Sequence, residues 1–122
     1  MSARPPTGTT LEVVAEGLCF PEGPRGRDGA LWFSDMHARR VCRLEPDGTL
    51  ATALEIDDTP SGLGWLPNGD LLVVAMTSRQ LLRWDGSEVS AYADLSGFAT
   101  WHCNDMVVGR DGTAWVGNFG FD

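Results

Sequence analysis

Five Asx-Gly pairs punctuate the chain: Asp28-Gly29, Asp47-Gly48, Asn68-Gly69, Asp85-Gly86 and Asp111-Gly112. Such pairs accept the positive φ that tight hairpin turns require. The first glycine of each unit falls at 29, 69 and 112, so the units are 40 and 43 residues apart. At an offset of 40, Gly29, Leu31, Arg39 and Arg43 meet Gly69, Leu71, Arg79 and Arg83. Trp32 and Trp115 both lie three residues past their glycine. Short apolar stretches between the turns, such as 30–33 and 71–74, read as strands, and no amphipathic helical stripe interrupts them. Four short strands in a period of about 40–45 residues mark a propeller blade.

The expected fold is therefore all-β: an incomplete β-propeller of four-stranded antiparallel blades. A β-sandwich also has short strands and frequent turns, but it does not usually repeat its own sequence. The expected organisation is a flexible segment over residues 1–10, then a partial propeller over 11–122. Within it we place a leading strand at 11–15, blades at 21–55 and 61–93, and a half blade at 104–122. Propellers close with about 4–8 blades, so roughly two and a half cannot make a ring. Open blade edges make self-association one expected consequence.

Charge narrows the partners. The net charge is −8, and all nine basic residues are arginine. An acidic chain without a basic run is repelled by nucleic-acid phosphates and anionic membranes, so neither is an expected partner. No apolar run approaches the ~18 residues of a membrane helix. The first ten residues carry no signal-peptide core, which points to the cytoplasm. Cys19, Cys42 and Cys103 form no CxxC pair and read as small apolar residues within strands.

The repeat also selects candidate site residues. The start of each inner strand aims side chains toward the central channel at one end of the ring. The equivalent starts are Pro21-Glu22-Gly23, Pro60-Ser61-Gly62 and Cys103-Asn104-Asp105. Glu22, Ser61 and Asn104 should then be neighbours on one rim. A carboxylate, a hydroxyl and an amide all offer oxygen, the donor preferred by hard cations and polar ligands. The competing reading is that each caps a turn or binds a backbone amide. Asp105 should face away from Asn104, Asp35 should cap the following turn, and His37 reads as a surface turn residue. Trp32 and Trp115 match blade-packing positions, and Trp101 precedes the pocket segment.

Several segments resemble the SMP-30/gluconolactonase/LRE family: Phe20-Pro21-Glu22-Gly23-Pro24, Leu31-Trp32-Phe33-Ser34-Asp35, Pro60-Ser61-Gly62-Leu63, and Asn104-Asp105 with Asp111-Gly112-Thr113-Ala114-Trp115-Val116-Gly117-Asn118. The resemblance covers nearly all of the chain after residue 10. It implies a six-bladed propeller holding a divalent metal, Ca²⁺ or Zn²⁺, at the channel mouth, and hydrolysis of a small-molecule lactone. It implies that Glu22 is a metal ligand and that Asn104 contacts substrate. His102 stands where sugar-lactonase members carry an arginine, and Asp122 where some members have an acidic pocket residue. The family's other ligands, an asparagine and an aspartate that is also its base, belong to later blades, beyond residue 122. The expected function is thus the N-terminal part of a metal-dependent lactone hydrolase. The alternative is a truncated, non-catalytic propeller that binds Ca²⁺ or a partner, or an inactive gene fragment.

Overall fold

The computed structural model describes residues 7–122. Part of the expected flexible segment, residues 1–6, lies outside the described residues. Ten strands follow: β1 Pro21–Arg27, β2 Ala30–Asp35, β3 Arg40–Leu44, β4 Leu50–Glu55, β5 Pro60–Trp65, β6 Leu71–Ala75, β7 Gln80–Trp84, β8 Val89–Asp94, β9 Cys103–Val108 and β10 Ala114–Asn118. They form two four-stranded sheets, β1-β2-β3-β4 and β5-β6-β7-β8, and a two-stranded sheet of β9 and β10. Every pairing is antiparallel. The fold is a partial β-propeller, with sheets stacked side by side around an unclosed axis. No helix among the described residues is long and apolar enough to cross a membrane.

The repeat reaches down to single dihedral angles. Arg39 and Arg79, aligned at the offset of 40, both adopt a left-handed backbone, with φ of 55° and 56°. Their amides bond Met36 O and Met76 O, and their carbonyls accept from Ile56 and Leu95. Each four-stranded sheet thus turns from its second to its third strand by the same local device. The glycines of all five Asx-Gly pairs have positive φ.

Period-2 alternation decides what each sheet buries. Trp32 and Val41 of the first sheet pack on Leu63, Leu71 and Val73 of the second. Side chains one register over, Leu72 and Val74, pack with Leu81 on Cys103 and Met106 of the third. Trp32 meets Trp65 edge-on at 5.5 Å, and Arg27 lies over the Trp65 ring at 4.9 Å. Each of these two cores is therefore an interface between consecutive sheets.

Three expectations change at the ends of the stack. Residues 11–15 form no strand: Leu11 and Val13 are exposed, and no strand among the described residues pairs with them. A strand needs a hydrogen-bonding edge, and here the segment only lays Ala15, with Leu18, over Phe33, Cys42 and Leu44. Trp115, equivalent to Trp32, is 67% exposed, because no sheet among the described residues covers the face that Trp32 turns to its neighbour. Cys42 and Cys103 are buried strand residues as expected, whereas Cys19 is exposed and outside any strand.

Candidate functional site

The three inner strands share one irregularity. In β1, Glu22 pairs with Ser34 and Arg25 with Trp32; in β5, Pro60 pairs with Ala75 and Leu63 with Val73. In β9, Cys103 pairs with Asn118 and Met106 with Val116. Each inner strand thus carries one extra residue at the same place, a β-bulge that bends the strand and re-aims its side chains. Glu22, Ser61 and Asn104 sit at these bulges.

The bulges bring the three side chains into contact. Ser61 Oγ hydrogen-bonds Glu22 Oε1 and stands 3.0 Å from Asn104 Oδ1. A hydroxyl has one proton and both facing oxygens are acceptors, so Ser61 donates to one of them at a time, with the Glu22 carboxylate the stronger acceptor and the Asn104 oxygen the second. Ser61 is buried, while Glu22 and Asn104 are half-buried and reach the rim. Ser34 Oγ donates to the Ser61 carbonyl at 2.6 Å and fixes the backbone beneath the hydroxyl. Small residues permit this closeness. A Cβ on Gly23, at φ +63°, would lie 3.1 Å from Ser61 O, and one on Gly62 would lie 2.4 Å from Met106 N.

Not every expected residue joins them. His102 lies just before β9 with its ring stacked on Trp101 at 4.5 Å and 14°, and no hydrogen bond links it to the trio. Asp122 is exposed beyond β10 and makes no hydrogen bond to the three. Asp35 does not cap its turn. It is fully buried and accepts from the amides of Cys19 and Phe20, at 2.8 and 2.7 Å, and from Arg40. It therefore anchors the segment leading into Glu22. Asp105 pairs with Arg25 of β1, a contact that residue types and spacing gave no reason to expect.

The donor set is oxygen-rich but thin. Among the described residues, no group of three or more His, Cys, Asp or Glu side chains is placed to hold a metal. Glu22 is the one carboxylate in the trio, with a hydroxyl and an amide oxygen beside it. These fit the preference of a hard cation in kind, though Ca²⁺ commonly takes about 6–8 oxygens. An apolar groove of about 270 Å³ also touches Glu22, but its other walls are Val13, Val14, Leu18, Leu31 and Phe33. Ser61 and Asn104 do not line it, so it is the uncovered packing face of the first sheet rather than a substrate pocket.

Removing the hydroxyl separates its structural part from any chemistry. Ser61→Ala should cost about 1.5 kcal/mol in urea denaturation, the lower end for one hydrogen bond to a charged group, since Glu22 is half-buried and water can replace the lost donor.

Residues 20–122 match the profile of the SMP-30/gluconolactonase/LRE-like region. The chain belongs to this family. No curated protein matches it. Among solved structures, a gluconolactonase from Xanthomonas campestris is 24% identical with a TM-score of 0.76, over 88% of this chain and 38% of that one. A putative gluconolactonase is 28% identical with a TM-score of 0.69, over 89% of this chain and 47% of that one. A virginiamycin B lyase from Staphylococcus aureus, 18% identical with a TM-score of 0.66 over 80% of this chain and 34% of that one, shares the fold. The chain thus spans less than half the length of these SMP-30/gluconolactonase-like and related structures.

Proposed function

We propose that the Glu22–Ser61–Asn104 rim is part of the site of a divalent-metal-dependent lactone hydrolase. The observation carrying this reading is the meeting of three oxygen-bearing side chains, one from each inner strand, at three equivalent bulges. Family membership and the gluconolactonase neighbours support the reaction class. Glu22 would hold the metal, Ca²⁺ or Zn²⁺, with the Ser61 and Asn104 oxygens beside it. Such an ion, when bound, polarises a lactone carbonyl toward attack by water. Asn104 would orient the lactone through its amide, with His102 and Asp122 as outer contacts of the substrate. Ser61 keeps the Glu22 carboxylate turned toward Asn104.

The test is hydrolysis of glucono-δ-lactone by the protein as its gene encodes it, followed by acid release. Hydrolysis abolished by a chelator, restored by Ca²⁺ or Zn²⁺ and lost in Glu22→Gln would support the proposal. Turnover indifferent to both chelator and substitution would overturn it. Residues 1–122 alone should hydrolyse the lactone no faster than buffer, since Glu22 is the one carboxylate in the trio.

A second reading has its own observation. The sparse carboxylate set among the described residues suits a non-catalytic propeller piece that binds Ca²⁺ weakly or engages a partner. Weak Ca²⁺ binding through Glu22 without turnover, in the protein as encoded, would favour it.

A further inference from the structure

Arg25 is the cation that the rim itself does not use, and its contacts cross two sheet boundaries. Its Nη2 donates to Asp105 Oδ1 at 2.9 Å and to Met106 O at 2.7 Å, while Nη1 donates to Pro24 O at 2.9 Å. Arg25 belongs to β1 and both distal partners to β9, with β5 between these strands. The reach is made at the level where β5 carries Gly62, whose Cβ would lie 2.8 Å from Asp105 C. A side chain on β5 at that point would crowd the strand to which Arg25 is bonded.

The two ends of this contact are both bulges. Arg25 closes the bulge that begins at Glu22, and Asp105 follows Asn104 within the bulge of β9. Asp105 also accepts from the Met106 amide at 2.7 Å, which ties its carboxylate to the local backbone. Gripping Asp105 and Met106 O together fixes the orientation of that bulge and hence the direction of the Asn104 side chain. A planar guanidinium holds two acceptors in a set geometry, which a single ammonium cannot. The pair is open to water, with side-chain exposures of 29% and 62%, so it adds little to stability. Its consequence is angular.

We propose that Arg25 is a positioning residue: its fork on Asp105 and Met106 O aims Asn104 at Ser61 and Glu22. The inference rests on the rim being the functional site, but its measurement does not depend on turnover or metal. In ¹⁵N-labelled chain, the Asn104 side-chain amide gives one pair of NMR signals, assigned by their absence in Asn104→Ala. With Arg25→Ala, this pair should move and broaden as Asn104 samples several directions, while the β9 backbone amides keep their exchange protection. An unmoved pair with protected β9 amides would overturn the proposal. Should Arg25→Ala strip that protection, Asp105→Asn decides, because it removes the charge and leaves the bond to Met106 O. A displaced Asn104 pair in folded Asp105→Asn supports the positioning role, and an unchanged pair sinks it.

Discussion

Gly62→Ala should detach the third sheet while leaving the first two folded. The added Cβ would lie 2.4 Å from Met106 N, 2.8 Å from Asp105 C and 2.9 Å from Met106 Cβ. Two of these neighbours are backbone, which cannot rotate away as a side-chain tip can. Overpacking of a fitted interior commonly costs about 1–3 kcal/mol and exceeds that when backbone must move, so we expect about 3 kcal/mol or more. The loss falls on the interface of β5 with β9, because the three atoms nearest the Gly62 Cβ all belong to β9. Hydrogen exchange would read it: β9 and β10 amides should lose protection first, and β2, β3, β6 and β7 should keep theirs. Uniform loss across all strands, or no loss, would contradict this picture of a contact confined to two sheets.

Asp58→Ala is the second large effect. The carboxylate is buried just before β5 and gathers donors from the β6–β7 turn. Its Oδ1 accepts from the amides of Thr59 and Thr77 and from the Thr77 hydroxyl; its Oδ2 accepts from the Ser78 amide and hydroxyl. Truncation leaves these donors without their acceptor. Bonds to charged groups contribute about 1.5–3 kcal/mol each, and water entering the gap recovers part of the total, so a net loss of about 3 kcal/mol is expected. Chemical denaturation would check it, and Thr77→Val, which removes one donor, should cost markedly less.

The same carboxylate governs acid stability. Burial by itself pushes the Asp58 carboxyl up, but the bonds from Thr77, Ser78 and Thr59 outweigh it and hold the group below the usual carboxylate value. Asp35 behaves alike, with burial outweighed by the Phe20 and Cys19 amides and by Arg40. A carboxyl whose folded pKa is lower than its unfolded one stabilises the fold above the unfolded value, near 3.8. That stability is lost as pH falls through the folded value. Unfolding free energy should therefore be flat from neutral pH to about 5 and drop below about 4. In Asp58→Asn the drop should be shallower.

The repeat was legible because it is written in turns. The spacing of Gly29, Gly69 and Gly112 anticipates three units, and the structure has three sheets. Aligning those units is also what made Glu22, Ser61 and Asn104 equivalents, without any chemical motif. What stayed hidden depends on contacts at long range. Residues 11–15 have a strand's composition, but pairing needs an edge that composition does not report. Asp35 sits beside a turn as a cap would, yet its hydrogen-bond partners, Cys19 and Phe20, lie 16 and 15 residues earlier. Arg25 and Asp105 are 80 residues apart, and only the convergence of two bulges lets them meet. Asp122 stands where some family members have an acidic residue, and that correspondence carries no direction once β10 has ended at Asn118.

The contrast between Trp32 and Trp115 turns the open end of the stack into an optical gauge. Trp32 is 7% exposed inside the first interface, while Trp115 is 67% exposed on the last sheet. An indole in water emits at longer wavelength than one packed in a dry interior. The difference spectrum between this chain and Trp115→Phe would therefore isolate a red, readily quenched component. Any surface that covers the third sheet should shift that component blue and shield it from iodide. Coverage of that face could then be followed by light alone, at concentrations far below those needed to see an assembly by size.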